Sequence, residues 1–352
     1  MTLPDVVFGP LRIGAGQRPI VIAEMSGNHN QSLERALAIV DAAAEAGAHV
    51  LKLQTYTADT MTIPRGDAEF LIDDPGSLWK GSTLHQLYQK AHTPWEWHKP
   101  IFERCAARGM VAFSSPFDAS AIDFLEQLNV PGYKIASFEN ADLELIHRAA
   151  STGKPLIIST GMATVSELED AVGAARAAGC RHPILLKCTS TYPATPASSN
   201  LRTIPHLRDL FGTHVGLSDH TLGVGASVAA VAMGACVVEK HFTLDRRDGG
   251  VDSTFSLEPH ELKSLVVETE RAWLAMGEVS YGPTDEEQKS VQFRRSLYVV
   301  RAIKAGELFT EENLRAIRPG NGLPPKHRAQ FLGRVARRDL SAGTALSWDM
   351  LG

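Results

Sequence analysis

Val215-Gly-Leu-Ser-Asp-His220-Thr and Val237-Val-Glu-Lys-His241-Phe-Thr bracket a Gly/Ala/Val-rich stretch of helical length, Leu222 to Ala235. Each motif is an apolar run that ends in a histidine, so the whole reads as strand, helix, strand. A right-handed crossover makes such strands parallel neighbours, and both imidazoles then emerge at the same end of the sheet. Asp219 and Glu239 flank them, together with hydroxyls. Convergent neutral imidazoles with an open position are a way to hold a catalytic divalent metal. The plainer alternative is a pair of strand-end histidines bonded to backbone.

Outward from this unit the same alternation recurs. Eight β-rich runs are expected at Pro19–Met25, Val50–Tyr56, Met110–Phe117, Tyr133–Glu139, Pro155–Gly161, Ile184–Thr191, Val215–His220 and Cys236–Phe242. Ala-rich amphipathic helices lie between them: Arg35–Ala46 stops at Gly47, Ile101–Arg108 at Gly109, and Glu167–Ala178 at Gly179. Ala119–Leu128 and Leu143–Ala150 fill two more gaps. Eight strand–helix repeats within about 280 residues predict an α/β fold, a (β/α)8 TIM barrel. An open doubly wound sheet competes, but no Gly-x-Gly-x-x-Gly turn follows the first strand. Ala58 to Lys99, with Trp79, Trp95 and Trp97, reads as an insertion over the barrel mouth. Its tryptophans either pack the insertion or stack on a sugar face.

Composition narrows the class. The chain has 352 residues, 44% of them hydrophobic, which suffices for a large domain and a small one. A formal charge of −5 with dispersed basic residues argues against nucleic-acid or anionic-membrane partners; Arg246-Arg247 and Arg337-Arg338 read as solvated faces. No apolar run approaches a membrane span, and the first residues lack signal-peptide character. Four cysteines without metal or disulfide spacing suit a reducing cytoplasm. After Trp273 the chain turns polar. We expect a barrel domain over residues 1–280, a linker over 281–294 and a small β-rich domain over 295–352.

Polar residues at the C-terminal ends of barrel strands are the default catalytic set. Here they include Glu24, Lys52, Gln54, Ser115, Lys134, Ser137, Glu139, Ser159, Ser190, Tyr192, Ser218, His220, Glu239 and His241. Two lysines and a ring of hydroxyls at one mouth suggest an anionic, phosphate-bearing substrate. Some of the hydroxyls would instead cap the following helices.

The ordered set of motifs resembles the sialic-acid (nonulosonate) synthases. It comprises Ala-Glu24-Met-Ser-Gly-Asn28-His29-Asn30, Leu-Lys52-Leu-Gln54-Thr, Tyr-Lys134-Ile-Ala-Ser137-Phe-Glu139, Ser159-Thr-Gly-Met, Cys-Thr-Ser190-Thr-Tyr192-Pro and the two histidine motifs. The tail, with Arg318-Pro-Gly-Asn-Gly and Val335, resembles the small antifreeze-like (SAF) domain. Within the family, details such as Leu78-Trp79-Lys80-Gly81, Phe113-Ser-Ser-Pro-Phe117 and Asp252-Ser-Thr-Phe-Ser256 are similar to the pseudaminic acid synthases. Ser190 stands where neuraminate enzymes tend to carry Asn.

The resemblance implies a condensation of phosphoenolpyruvate with a 2,4-diacetamido-2,4,6-trideoxy hexose of altro configuration. Neuraminate or legionaminate synthesis is the alternative. His220 and His241 would hold Mn²⁺ (or Mg²⁺ or Co²⁺) as Lewis acid. Glu139 would assist the attack of water, and Glu24 would position water or sugar. Lys52, Lys134, Ser115, Ser137, Ser159 and Ser218 would hold phosphate and carboxylate. Gln54, Ser190, Tyr192 and Asp252 are further substrate-binding candidates. Arg318 would reach the other protomer's site in a domain-swapped homodimer. Two other classes stand against this reading. A class I pyruvate aldolase would use Lys187 or Lys134 as Schiff base, and a catalytically silent sugar-binding protein would need none of the strand-end charges.

Overall fold

The computed structural model describes residues 3–74, 77 and 79–352. It divides into two units, Met1–Gly277 and Glu278–Gly352. The first opens with an antiparallel hairpin, β1 (Val6–Phe8) and β2 (Leu11–Ile13). Eight parallel strands follow: β3 (Ile20–Glu24), β4 (Val50–Thr55), β5 (Val111–Pro116), β6 (Tyr133–Ile135), β7 (Leu156–Ser159), β8 (Ile184–Cys188), β9 (His214–Ser218) and β10 (Val237–His241). They close into a barrel in which β10 pairs with both β9 and β3. The expected (β/α)8 architecture is the one observed.

Period-two alternation sorts each strand into an outer and an inner face. Outward residues such as Val21, Leu51, Tyr133, Leu185, Val215 and Val238 pack against the helices. Inward residues Ile20, Ile22, Val50, Phe113, Ile157, Ile184, Leu186 and Val237 form a separate apolar cluster, which Phe8 and Ile13 of the hairpin join. The Phe8 ring meets Phe113 edge-on at 5.0 Å. The hairpin therefore stoppers the N-terminal end of the barrel. Two residues further along the strands, the same inner face turns polar: Glu24, Lys52, Ser115, Ser159, Ser218 and Glu239.

Helix boundaries follow capping chemistry. Ser32 caps Leu33–Glu45, Asp118 caps Ala119–Gln127, and Thr164 with Glu167 forms a capping box on Val165–Ala177. Gly47 and Gly179 adopt φ of 88° and 103°, the left-handed region that ends these helices cheaply. Two expected boundaries move. The helix expected to begin at Ile101 starts at Trp95 and carries Pro100 in its second turn, where the ring removes a backbone hydrogen bond. The fourth strand stops at Ile135 instead of Glu139, and Ser137–Glu139 form a 3₁₀ turn.

Within the insertion, Trp95 stacks on Phe124 at 4.7 Å and Trp97 meets His29 edge-on at 5.6 Å. These two pack the fold. Trp79 instead donates its indole N–H to the Val251 carbonyl at 2.8 Å and lies 6.3 Å from Tyr192. Leu78 of the same motif lies outside the described residues. Arg246 is no solvated face, since it pairs with Glu261 at 2.5 Å at the start of the helix Pro259–Met276.

The second unit pairs β11 (Ser296–Val299) with β12 (Leu314–Ile317) around Leu297, Val299, Phe309, Phe331 and Leu346. Residues 287–293 form a 3₁₀ helix ahead of it. No helix among the described residues is long and apolar enough to cross a membrane.

Gly216, on the inner face of β9, tests this packing. A Cβ there would lie 2.3 Å from the Val237 carbonyl oxygen and 2.6 Å from Leu186 Cδ2. Backbone cannot yield as a flexible side chain does, so Gly216→Ala should lose about 1–3 kcal/mol of stability. An unchanged urea midpoint would refute the close-packed inner layer.

Candidate active site

Four charged side chains meet inside the mouth of the barrel. Glu24 ends β3, Lys52 lies on β4, Lys134 on β6 and Glu239 on β10. Lys52 Nζ lies 2.5 Å from Glu24 Oε2, an ion pair without hydrogen-bond alignment, and 3.9 Å from Glu239 Oε1. Lys134 Nζ donates to Glu239 Oε1 at 3.1 Å, and Ser218 Oγ donates to the same oxygen at 3.1 Å. Lys52 also donates to Ser115 Oγ at 3.2 Å. All six side chains are buried.

Burial opposes every one of these charges, so the pairing decides which survive. Burial works against the Glu239 carboxylate, but Lys134 and Lys52 outweigh it and hold its pKa at about 2. Burial raises Glu24 to about 7, and Glu239 adds to the rise against the pull of Lys52. Burial likewise disfavours the Lys52 ammonium, yet Glu239 and Glu24 prevail and raise it. Burial dominates at Lys134, which is lowered despite Glu239.

Beside this quartet lies a ring of hydroxyls. Ser137 Oγ accepts from the Gly161 N–H at 3.2 Å, while buried Ser159 Oγ has no partner among the described residues. A Cβ on Gly161 would fall 2.2 Å from Ser190 Oγ and 2.6 Å from Ser137 Oγ. Only glycine leaves room between them, so backbone and two hydroxyls form a cradle of the kind that suits an anion. Glu139 follows on the 3₁₀ turn, its buried Oε2 without a hydrogen-bond partner among the described residues. Burial raises it to about 7 against its backbone hydrogen bond and Lys134.

The histidines form the third part. Their ring centroids lie 5.3 Å apart, with Tyr192 at 4.5 Å from His220 and Phe255 at 4.9 Å from His241. His220 Nδ1 donates to the Thr189 carbonyl at 3.0 Å, leaving the lone pair on Nε2. Burial opposes a proton on His220, but Cys188, with its sulfur 3.8 Å from Nδ1, outweighs it and raises the pKa. Burial lowers His241 well below its ordinary value, and its Nδ1 has no hydrogen-bond partner among the described residues, the Asp252 carboxylate lying 3.9 Å away. Ser26 donates to that carboxylate. Two imidazoles, one oriented and one held neutral, with a carboxylate alongside, fit a divalent cation.

Another group with metal-ligating chemistry, Glu258, His260 and Glu261, lies on a helix start. Its two carboxylates are already engaged by Arg246. Of the expected site residues, Gln54 lies on the inner face opposite Ser115. Arg318 is exposed on the second unit, just after β12. Glu239 stood among the expected strand-end residues without a role; the structure makes it the anion that joins both lysines. Cys188 and Phe255 had no signal beyond their position near the mouth. Lys187 shares the outer face of Leu185, so the aldolase reading loses that lysine, while Lys134 faces the mouth paired with Glu239.

The model of the NeuB family matches residues 39–281. The chain belongs to the NeuB family. The model of the SAF domain matches residues 294–352 of this NeuB-family chain. Pseudaminic acid synthase of Helicobacter pylori is 43% identical, covering 95% of this chain and 98% of its own. N,N'-diacetyllegionaminic acid synthase of Campylobacter jejuni is 35% identical over 92% of this chain and 97% of its own. The crystal structure of N-acetylneuraminic acid synthetase from Leptospira borgpetersenii superposes with a TM-score of 0.73 at 32% identity. It covers 83% of this chain and 96% of that one.

The raised Glu139 has a measurable sign. The folded chain keeps its proton up to about 7, whereas the unfolded chain releases it near 4.5. More protons are then bound in the folded state across that window, so stability falls as pH rises through it. Glu139→Gln should shrink the drop in urea midpoint between pH 5 and pH 7. An equal drop in both proteins would show that Glu139 titrates normally.

Proposed function

We propose that this NeuB-family chain is a pseudaminic acid synthase. It would condense phosphoenolpyruvate with 2,4-diacetamido-2,4,6-trideoxy-L-altrose, releasing phosphate. The observation that carries the class of reaction is the juxtaposition of Lys52, Lys134 and the Gly161 cradle with the His220–His241 pair. Anion-holding groups thus stand beside groups suited to a Lewis acid. The sugar assignment rests on the relatives, with 43% identity to a pseudaminic against 35% to a legionaminic acid synthase.

In this reading Lys52, Lys134, Ser115, Ser137, Ser159 and Ser218 hold phosphate and carboxylate where water is excluded. Gln54, Ser190, Tyr192 and Asp252 line the sugar. Lewis acidity at the sugar's aldehyde oxygen is what a cation on His220 and His241 supplies when bound, with Mn²⁺ first and Mg²⁺ or Co²⁺ as alternatives. The methylene carbon of phosphoenolpyruvate uses its enol π pair to form the new C–C bond to the aldehyde carbon, leaving C2 cationic. The carbonyl π pair passes to the aldehyde oxygen, which ends with the proton given up by the added water. Glu139, as carboxylate, takes a proton from the water that adds to the cationic C2. Glu24 positions water or sugar. The resulting tetrahedral carbon expels phosphate by C–O cleavage. Residues 1–280, 281–294 and 295–352 act as barrel, linker and SAF domain, and Arg318 completes the partner's site in a domain-swapped homodimer.

Phosphate release from phosphoenolpyruvate should require both the altrose-configured sugar and Mn²⁺, and EDTA should abolish it. Glu139→Gln should lower kcat by about 10²- to 10⁴-fold. Release with N-acetylmannosamine instead would move the chain to neuraminate synthesis. Turnover of pyruvate in EDTA would overturn the mechanism.

The trans role of Arg318 predicts complementation. Arg318→Ala and Glu139→Gln should each be nearly inactive alone. Mixed after dissociation, they should regain about a quarter of wild-type activity, since half the dimers then carry one intact site. No recovery would place Arg318 in its own protomer's service.

A further inference from the structure

The residue before each site histidine points away from the site, and the two residues meet. Asp219 precedes His220 and Lys240 precedes His241. Alternation sends both to the outer face of the barrel, where Lys240 Nζ donates to Asp219 Oδ2 at 3.0 Å. The side chains are 0% and 2% exposed. Lys240 gives its other two protons to the carbonyls of Thr221, at 2.6 Å, and Gly223, at 2.9 Å. Asp219 accepts further from Ser227 Oγ at 2.6 Å and from the Thr221 N–H at 2.9 Å. Every donor of the ammonium is used, and the loop that carries His220 is wrapped around it.

This arrangement is not what stability alone would select. A buried ion pair is commonly replaced by apolar residues at no loss, because desolvation offsets its Coulombic gain. Helix-facing neighbours of both residues are apolar: Val215 and Leu217 on β9, and Val238 on β10. What the pair adds is geometry. It links the ends of two adjacent strands one residue behind each imidazole, and it fixes the turn between them through two backbone carbonyls.

We propose that Asp219 and Lys240 are positioning residues that set the spacing of His220 and His241, and with it the affinity for a divalent cation. The inference rests on the assignment of those histidines as metal ligands.

The test measures Mn²⁺ binding without substrates, from the electron paramagnetic resonance signal of free Mn²⁺, beside thermal unfolding of the metal-free protein. Lys240→Met should weaken Mn²⁺ binding about 10- to 100-fold, the usual effect of losing an outer partner of a metal ligand. The charge-free pair Asp219→Leu with Lys240→Met should melt near wild type and still bind Mn²⁺ weakly, which a purely structural role would not produce. Should either fail to fold, Ser227→Ala removes a single hydrogen bond to Asp219 and should cost about 3- to 10-fold. Wild-type Mn²⁺ affinity in all folded variants, whatever their melting temperatures, would overturn the proposal. His241→Gln separates the two claims. If the unaltered chain binds Mn²⁺ no better than this variant, the ligand assignment itself falls, and the positioning role with it.

Discussion

Two lysines and two glutamates buried at one end of a closed barrel must neutralise one another, and most of the site's geometry follows from that requirement. Glu239 is the hinge of the arrangement: a single oxygen accepts from Lys134 and Ser218 and stands within reach of Lys52. Remove it and Lys134 loses its counter-charge while Lys52 keeps only Glu24, at a cost of several kcal/mol. Because the quartet balances when all four are ionised, an arriving anion finds no spare positive charge. It must bring a proton, displace one carboxylate from its lysine, or arrive with a cation. Glu24, raised to about 7, is the member of the quartet able to take up that proton near neutrality.

The two ends of the barrel divide the work. Apolar residues and the N-terminal hairpin fill one end, and the same inward positions become polar one step further along each strand. Stability and chemistry are thus read from the same parity, two residues apart. The outer face carries a second electrostatic device, the Asp219–Lys240 pair, insulated from the first by the backbone of β10.

Much of this was legible in the sequence. Parity and parallel order alone bring Glu24, Lys52, Ser115, Lys134, Ser218 and the two histidines to one mouth, and they do meet there. What pattern reading missed has physical causes. The run Tyr133–Glu139 looks like one strand, but the chain must turn at Ala136 to bring Ser137 under Gly161. Pro100 hid the first turn of a helix that tolerates it. Glu239 could be counted as a strand-end acid, yet its partners lie on β6 and β4, at sequence distances that no local pattern spans. The Asp219–Lys240 contact was within reach, since both precede histidines on adjacent strands, but only burial shows that nothing else receives them. Arg318 belongs to the second unit, and its assignment to the site rests on resemblance.

Barrel closure carries a consequence for how the chain is made. The first barrel strand, β3, hydrogen-bonds to the last, β10, with His241 opposite Glu24 across the seam. During synthesis β3 therefore waits as an open edge until residues 237–241 have emerged, and the Phe8 stopper waits for the walls it seals. Contacts of such long sequence separation form late and cooperatively. Until then the strand edge is a template for mispairing, the hazard that open sheets must manage. A nascent chain lacking only its final strand would hold nearly every residue of the mouth and still have no seam, no enclosed charges and no paired histidines.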